Sequence, residues 1–191
     1  MSISWGSVAD WVAGTGSFSA VIVALYLARS SNRVKLRVHI GHRIMIATGQ
    51  KGDPPEYLQI GVVNTGSRVS RVTNVGYKIG IRKKQFAIQV TGESSLSSPL
   101  PIELRDGHEA RWMIPLELPD NWIDRFCRDF LLPNWRTRLW SARVQIHTSV
   151  GQVFEAPFER GLKDKLAAAC SRLGAESTSS NEKNNERKPN P

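Results

Sequence analysis

The chain begins with one long apolar run and then changes to short alternations of apolar and polar residues. Trp11 to Ala28 (WVAGTGSFSAVIVALYLA) carries no charge. At about 1.5 Å per residue it predicts a helix of roughly 27 Å, close to the ~30 Å hydrocarbon thickness of a bilayer. From Val34 to Ile46 every even position except His42 is apolar, while Lys35, Arg37, His39 and Arg43 occupy odd ones. Strict period two predicts a strand with one buried face. The same alternation returns at Leu58, Ile60 and Val62; at Val75, Tyr77, Ile79 and Ile81; at Phe86, Ile88 and Val90; at Ile102 and Leu104; at Ala110, Trp112 and Ile114; and at Trp140, Ala142, Val144 and Ile146. Asn64-Thr65-Gly66, Asp106-Gly107 and Val150-Gly151 supply residues that tolerate positive φ between these runs, as hairpins and tight corners require. Seven or eight short strands with so few helices for crossovers predict an antiparallel β-sandwich.

Two helices interrupt the strands. Asp120 is placed to cap the first, over 120–131, in which Trp122, Phe126 and Phe130 recur beside Ile123, Cys127 and Leu131 before Pro133 ends it. The second, over 160–173, carries Leu162, Leu166, Cys170 and Leu173 on one stripe and stops before Gly174. From Glu176 onward the chain is polar and rich in Ser, Asn, Lys and Glu, so 174–191 is expected to be a disordered tail.

The flanks of the apolar run give it a direction. Trp5 and Trp11 stand at one end and Tyr26 near the other, where amphipathic rings settle at the headgroup levels of a bilayer. Asp10 is the only side-chain charge before the run, whereas Arg29, Arg33, Lys35, Arg37 and Arg43 follow it. The positive-inside bias therefore predicts residues 1–10 outside, a transmembrane helix over 11–28, a basic collar over 29–33 and a cytoplasmic domain over 34–173. A cleaved signal peptide would carry the opposite charge order. Gly16, Ala20, Ala24 and Ala28 recur every four residues and offer a small face for self-association or a partner helix.

Leu58 to Gly80 (LQIGVVNTGSRVSRVTNVGYKIG) and Leu100 to Leu116 (LPIELRDGHEARWMIPL) resemble the immunoglobulin-like sandwich of small uncharacterised bacterial and prophage single-pass membrane proteins. The resemblance covers most of residues 5–160. It implies a mainly β chain: an inner-membrane anchor, then an antiparallel immunoglobulin-like sandwich with one inserted and one C-terminal helix. It implies no catalytic residues, and for function only a prophage-type envelope or superinfection-exclusion role.

The net charge of +9, with Arg82-Lys83-Lys84 adjacent and Arg136 and Arg138 between Trp135 and Trp140, predicts attraction to an anionic surface, whether lipid or nucleic acid. Cys127 and Cys170 are too few for a disulfide framework or a zinc knuckle and suit a reducing compartment. For Cys170 a place in the core is expected rather than lipidation. His39 and His42 point to opposite faces of one strand, while His108 and His147 stand alone, so no metal site is expected. Gly14-Thr15-Gly16 follows no strand, and neither a Gly-x-Ser-x-Gly elbow nor a phosphate loop occurs. Glu103, Asp106 and Glu109 gather at one hairpin, where solvation is the simpler account than acid–base catalysis.

The expectation is a non-enzymatic, membrane-anchored protein without cofactor or metal, whose partners are membrane lipid and another protein. The alternative is a soluble nucleic-acid-binding module with a buried N-terminal helix. In it Trp135 is the free stacking platform, since Trp140 falls in phase with the core strand.

Overall fold

The computed structural model describes residues 8–31, 33–46, 49, 52–90, 95–116 and 121–186. Trp5 and Asp120 lie outside them. Helix α1 (Val8–Ser31) precedes strands β1 (Leu36–Ile44), β2 (Glu56–Asn64), β3 (Ser70–Ile79), β4 (Gln85–Ile88), β5 (Ile102–Leu104) and β6 (Glu109–Pro115). Helix α2 (Trp122–Phe126) continues as a π-helical turn (Cys127–Leu131), and α3 (Trp135–Ser141), β7 (Arg143–Thr148), β8 (Val153–Pro157) and α4 (Arg160–Glu186) follow.

All strand pairing is antiparallel, in two sheets of order β1-β2-β6 and β4-β3-β7-β8, with β5 beside the start of β3. Period-two alternation places apolar residues in rows across each sheet. Ile40 pairs Ile60, which pairs Trp112; Tyr77 pairs Val144, which pairs Ala156. All six are buried in one core shared by the two sheets. At roughly 1.5–3 kcal/mol for each large apolar side chain removed from water, such rows set the register, because a one-residue slip would turn them to solvent.

The helices close one end of this core. Tyr77 meets Phe126 and Phe158 edge-on, and Trp122 stacks on Phe126 with ring centroids 4.7 Å apart. Leu162, Leu166, Ala169 and Cys170 bury one stripe of α4, as the spacing predicts. Among the described residues of α1 none belongs to the core.

Five expectations are corrected. The two long helices, of 24 and 27 residues, give the chain helical content comparable to its strands, so it is mixed rather than mainly β. Helix α4 runs through Gly174 to Glu186 into the stretch expected to be disordered; an interior glycine costs only about 1 kcal/mol and the next proline is Pro189. Residues 135–141 are helical where strand alternation was expected to begin at Trp140, so Trp140 is exposed and Trp135 is the half-buried member of the pair. The apolar alternation of β4 does not face the core: Phe86 and Ile88 are 64% and 69% exposed. The cap of α2 is Asn121, whose side chain accepts a hydrogen bond from the Ile123 amide.

Candidate functional site

Helix α1 is apolar on all sides rather than along a stripe, the pattern of a helix surrounded by apolar material. Trp11 to Arg29 is long and apolar enough to cross a membrane, and none of it is buried against the rest of the chain. Two of its hydroxyls are bonded within the helix: Thr15 donates to the Trp11 carbonyl at 2.6 Å and Ser19 to the Thr15 carbonyl at 2.8 Å. Such back-bonding removes the main polar objection to placing these residues in lipid. Gly16, Ala20, Ala24 and Ala28 lie along this helix, and a Cβ added at Gly16 would meet no described atom of another element within 4 Å. Tyr26 is exposed, as are Arg29 in the last turn and Arg33, Lys35 and Arg37 beyond it.

The exit from α1 is tied to the sandwich at one corner. The Thr65 amide donates to the Lys35 carbonyl at 2.8 Å, which brings the basic collar against the loop after β2. That loop is held by Asn64, which is fully buried. Its Nδ2 donates to the carbonyls of Arg68 (2.8 Å) and Leu104 (2.9 Å), and its Oδ1 accepts from the Gly66 amide at 3.0 Å. Its own carbonyl accepts from Gly107 at 2.9 Å, so one side chain and its backbone join β2, β5 and the Asp106-Gly107 hairpin beneath the anchor.

Two clefts flank the helices. One, of about 490 Å³, is lined by Glu56, Asp124, Lys165 and Arg172 between β2, α2 and α4. Glu56 accepts from Lys165 and lies 3.2 Å from His42, while Arg172 grips Asp124 at 2.6 and 2.8 Å. The Lys165 bond holds the Glu56 carboxyl below its ordinary range, so at neutral pH it is an ionised acceptor with no proton to give. The other cleft, of about 390 Å³, runs between β4 and α2 and is lined by Tyr77, Ala87, Trp122, Phe126 and Phe130, with Arg125 and Asp129 alongside. It is an aromatic groove beside an edge strand.

The remaining candidates are not brought together. Cys127 and Cys170 are buried in the core, where loss of solvent pushes both thiols up, and the Cys127 thiol donates to the Leu166 carbonyl at 3.4 Å. Glu103 and Asp106 are exposed, and Glu109 pairs with Arg111. Among the described residues no three His, Cys, Asp or Glu side chains converge in metal-binding geometry. Arg136 sits over the ring of Trp135 at 5.4 Å, so the aromatic expected to be a free platform is already occupied. Sequence reasoning missed the exposed face of β4 and the groove beside α2. The absence of any acidic residue from Ile81 to Val90 was the available signal.

No family model matches the chain, and no curated protein matches it. Among solved structures it is similar to one described as the "Putative ApaA Protein" from Bordetella pertussis, at 18% identity over 66% of this chain and 89% of that one, with a TM-score of 0.31. A structural-genomics consortium target is similar at 12% identity over 65% of this chain and 82% of that one, with a TM-score of 0.27.

Proposed function

We propose that this chain is a non-enzymatic, single-pass membrane protein that holds an immunoglobulin-like sandwich against the cytoplasmic face of a bacterial inner membrane and uses it to bind another protein. The observation that carries the reading is an N-terminal helix that is apolar all round and unburied, followed by exposed Arg29, Arg33, Lys35 and Arg37. The strand orders β1-β2-β6 and β4-β3-β7-β8 support the sandwich, being those of strands A-B-E and C′-C-F-G in immunoglobulin-like domains. The aromatic groove beside β4 supports protein binding, since an edge strand offers main-chain groups to an extended partner while the groove receives its side chains. The ion-paired carboxylates of the other cleft suit a structural role better than proton transfer. The nucleic-acid alternative needs α1 buried within the fold, and its unburied surface favours the anchor instead.

The test is fractionation with topology. Expressed in bacteria, the full chain stays with membranes through a carbonate wash, and a protease added outside sealed spheroplasts leaves the β-rich part intact. Release by carbonate refutes the anchor; digestion from outside inverts its polarity. Ala20→Leu with Ala24→Leu weakens self-association in a membrane assay if the small face pairs helices, and unchanged association removes that element.

A further inference from the structure

The outer face of β4 and the loop before it are built unlike the rest of the domain. Phe86 pairs with Lys78 and Ile88 with Gly76, while the alternate residues Tyr77 and Ile79 of β3 are buried, so Phe86 and Ile88 stand on the side of the sheet away from the core. The preceding loop exposes Ile81, Arg82, Lys83 and Lys84. Trp140 is 68% exposed at the same end, because the Gly80 amide donates to Ser141 Oγ at 3.0 Å and Arg138 donates to Gln85 at 2.8 Å, pinning α3 against this hairpin. Several cations elsewhere in the domain have acidic partners: Lys78 with Glu155, Arg43 with Glu159, Lys165 with Glu56, Arg172 with Asp124. Arg82, Lys83 and Lys84 have no ion pair to any described residue.

We infer that the β3–β4 hairpin is a second membrane contact: Ile81, Phe86, Ile88 and Trp140 enter the interfacial layer of an anionic lipid leaflet while Arg82, Lys83 and Lys84 engage its headgroups. The inference rests on the reading that α1 places the domain at a bilayer. Charge complementarity selects the occupant, as three adjacent unpaired cations with no intervening acid attract anionic lipid. The apolar members select lipid over nucleic acid. Single-stranded nucleic acid stacks on aromatic faces, a use Ile81 and Ile88 cannot serve, whereas aliphatic and indole side chains both gain from the interface.

The contact fixes a posture. Strand β3 starts near the corner that holds the α1 exit and runs ten residues, roughly 33 Å, to the hairpin. An upright domain would lift the hairpin that far from the lipid. Val34 is buried and the Lys35 carbonyl accepts from Thr65, so residues 32–33, at most roughly 7 Å, form the joint about which the domain lies on the outer face of the β4-β3-β7-β8 sheet.

The experiment reconstitutes the full chain in vesicles of phosphatidylcholine alone and of phosphatidylcholine with phosphatidylglycerol, and follows amide hydrogen exchange. Exchange over 81–90 is expected to be at least several-fold slower in the anionic vesicles and to return to the neutral-vesicle rate in the R82E/K83E/K84E variant. Phe86→Asp with Ile88→Asp, on an exposed face that folding does not bury, produces the same loss. Equal exchange in both vesicles overturns the inference. Slowing that depends on protein concentration in detergent assigns the face to a second copy, and slowing by a single-stranded oligonucleotide but not by lipid assigns it to nucleic acid; either overturns it. A carbonate wash of the same vesicles separates the two readings. Retention with unchanged exchange sinks only the hairpin contact, whereas release with slowed exchange sinks the anchor and leaves the hairpin as a peripheral contact.

Discussion

Replacing Asn64 by alanine removes a buried side chain that joins the corner beneath the anchor to β5. Three hydrogen bonds disappear, two donated to the Arg68 and Leu104 carbonyls and one accepted from the Gly66 amide. At a net ~1 kcal/mol each, their loss costs about 3 kcal/mol, and the buried Gly66 amide and Leu104 carbonyl are left without a side-chain partner, which raises the cost further. Against a typical stability of roughly 5–15 kcal/mol this is a large fraction. A chain starting at residue 33 contains the whole core, so urea unfolding followed by far-UV circular dichroism reads it directly. With a slope near ~2 kcal/mol per molar, the midpoint falls by about 1.5 M. Asn64→Asp conserves shape and the Gly66 acceptor but turns a carboxylate oxygen toward two carbonyls, so it is expected to be no more stable than the alanine variant. If Asn64→Ala lies within about 1 kcal/mol of the parent, the corner is not held by this side chain and the argument from buried polar groups fails here.

Trp112→Ala empties the centre of the core and should cost about 3–5 kcal/mol, whereas Trp140→Ala should stay within about 0.5 kcal/mol in the same urea assay; similar losses for both would contradict their opposite burial. Gly76→Ala places a Cβ 2.5 Å from the Ala87 carbonyl oxygen, so β4 must move off β3, with about 1–3 kcal/mol lost and faster amide exchange over 85–88. Bonds from Lys165, Lys78 and Arg43 hold the Glu56, Glu155 and Glu159 carboxyls below their ordinary range. Their stabilisation is therefore full above the ordinary carboxylate value, near pH 4.5, and lost as pH falls through the lowered values. All three are partly exposed, so solvent screening limits the total to roughly 2 kcal/mol; a triple Gln variant should show a smaller drop in urea midpoint between neutral and acid pH than the parent.

Periodicity alone determined much of this protein. An uncharged run of membrane length made α1, and period-two alternation made β1, β2, β5 and β6 near their observed bounds. The four-residue spacing of Trp122, Phe126 and Phe130, and of Leu162, Leu166 and Cys170, marked the helices that close the core. These features are local, because a residue's own neighbours decide which face of an element it occupies. Only the tertiary structure decided which apolar faces are covered. Phe86 and Ile88 alternate just as Leu58 and Ile60 do, yet β4 is an edge strand whose outer face nothing described covers, while β2 lies between two strands and over the core. Trp140 is in phase with Val144 and Ile146, but α3 intervenes and turns it to solvent. Lys165 and Glu56 lie far apart in the chain and meet because α4 folds back onto β1, the strand beside β2. Burial and ion pairing depend on what packs from elsewhere in the chain, and a hydrophobic pattern records only that a face is apolar, not what covers it.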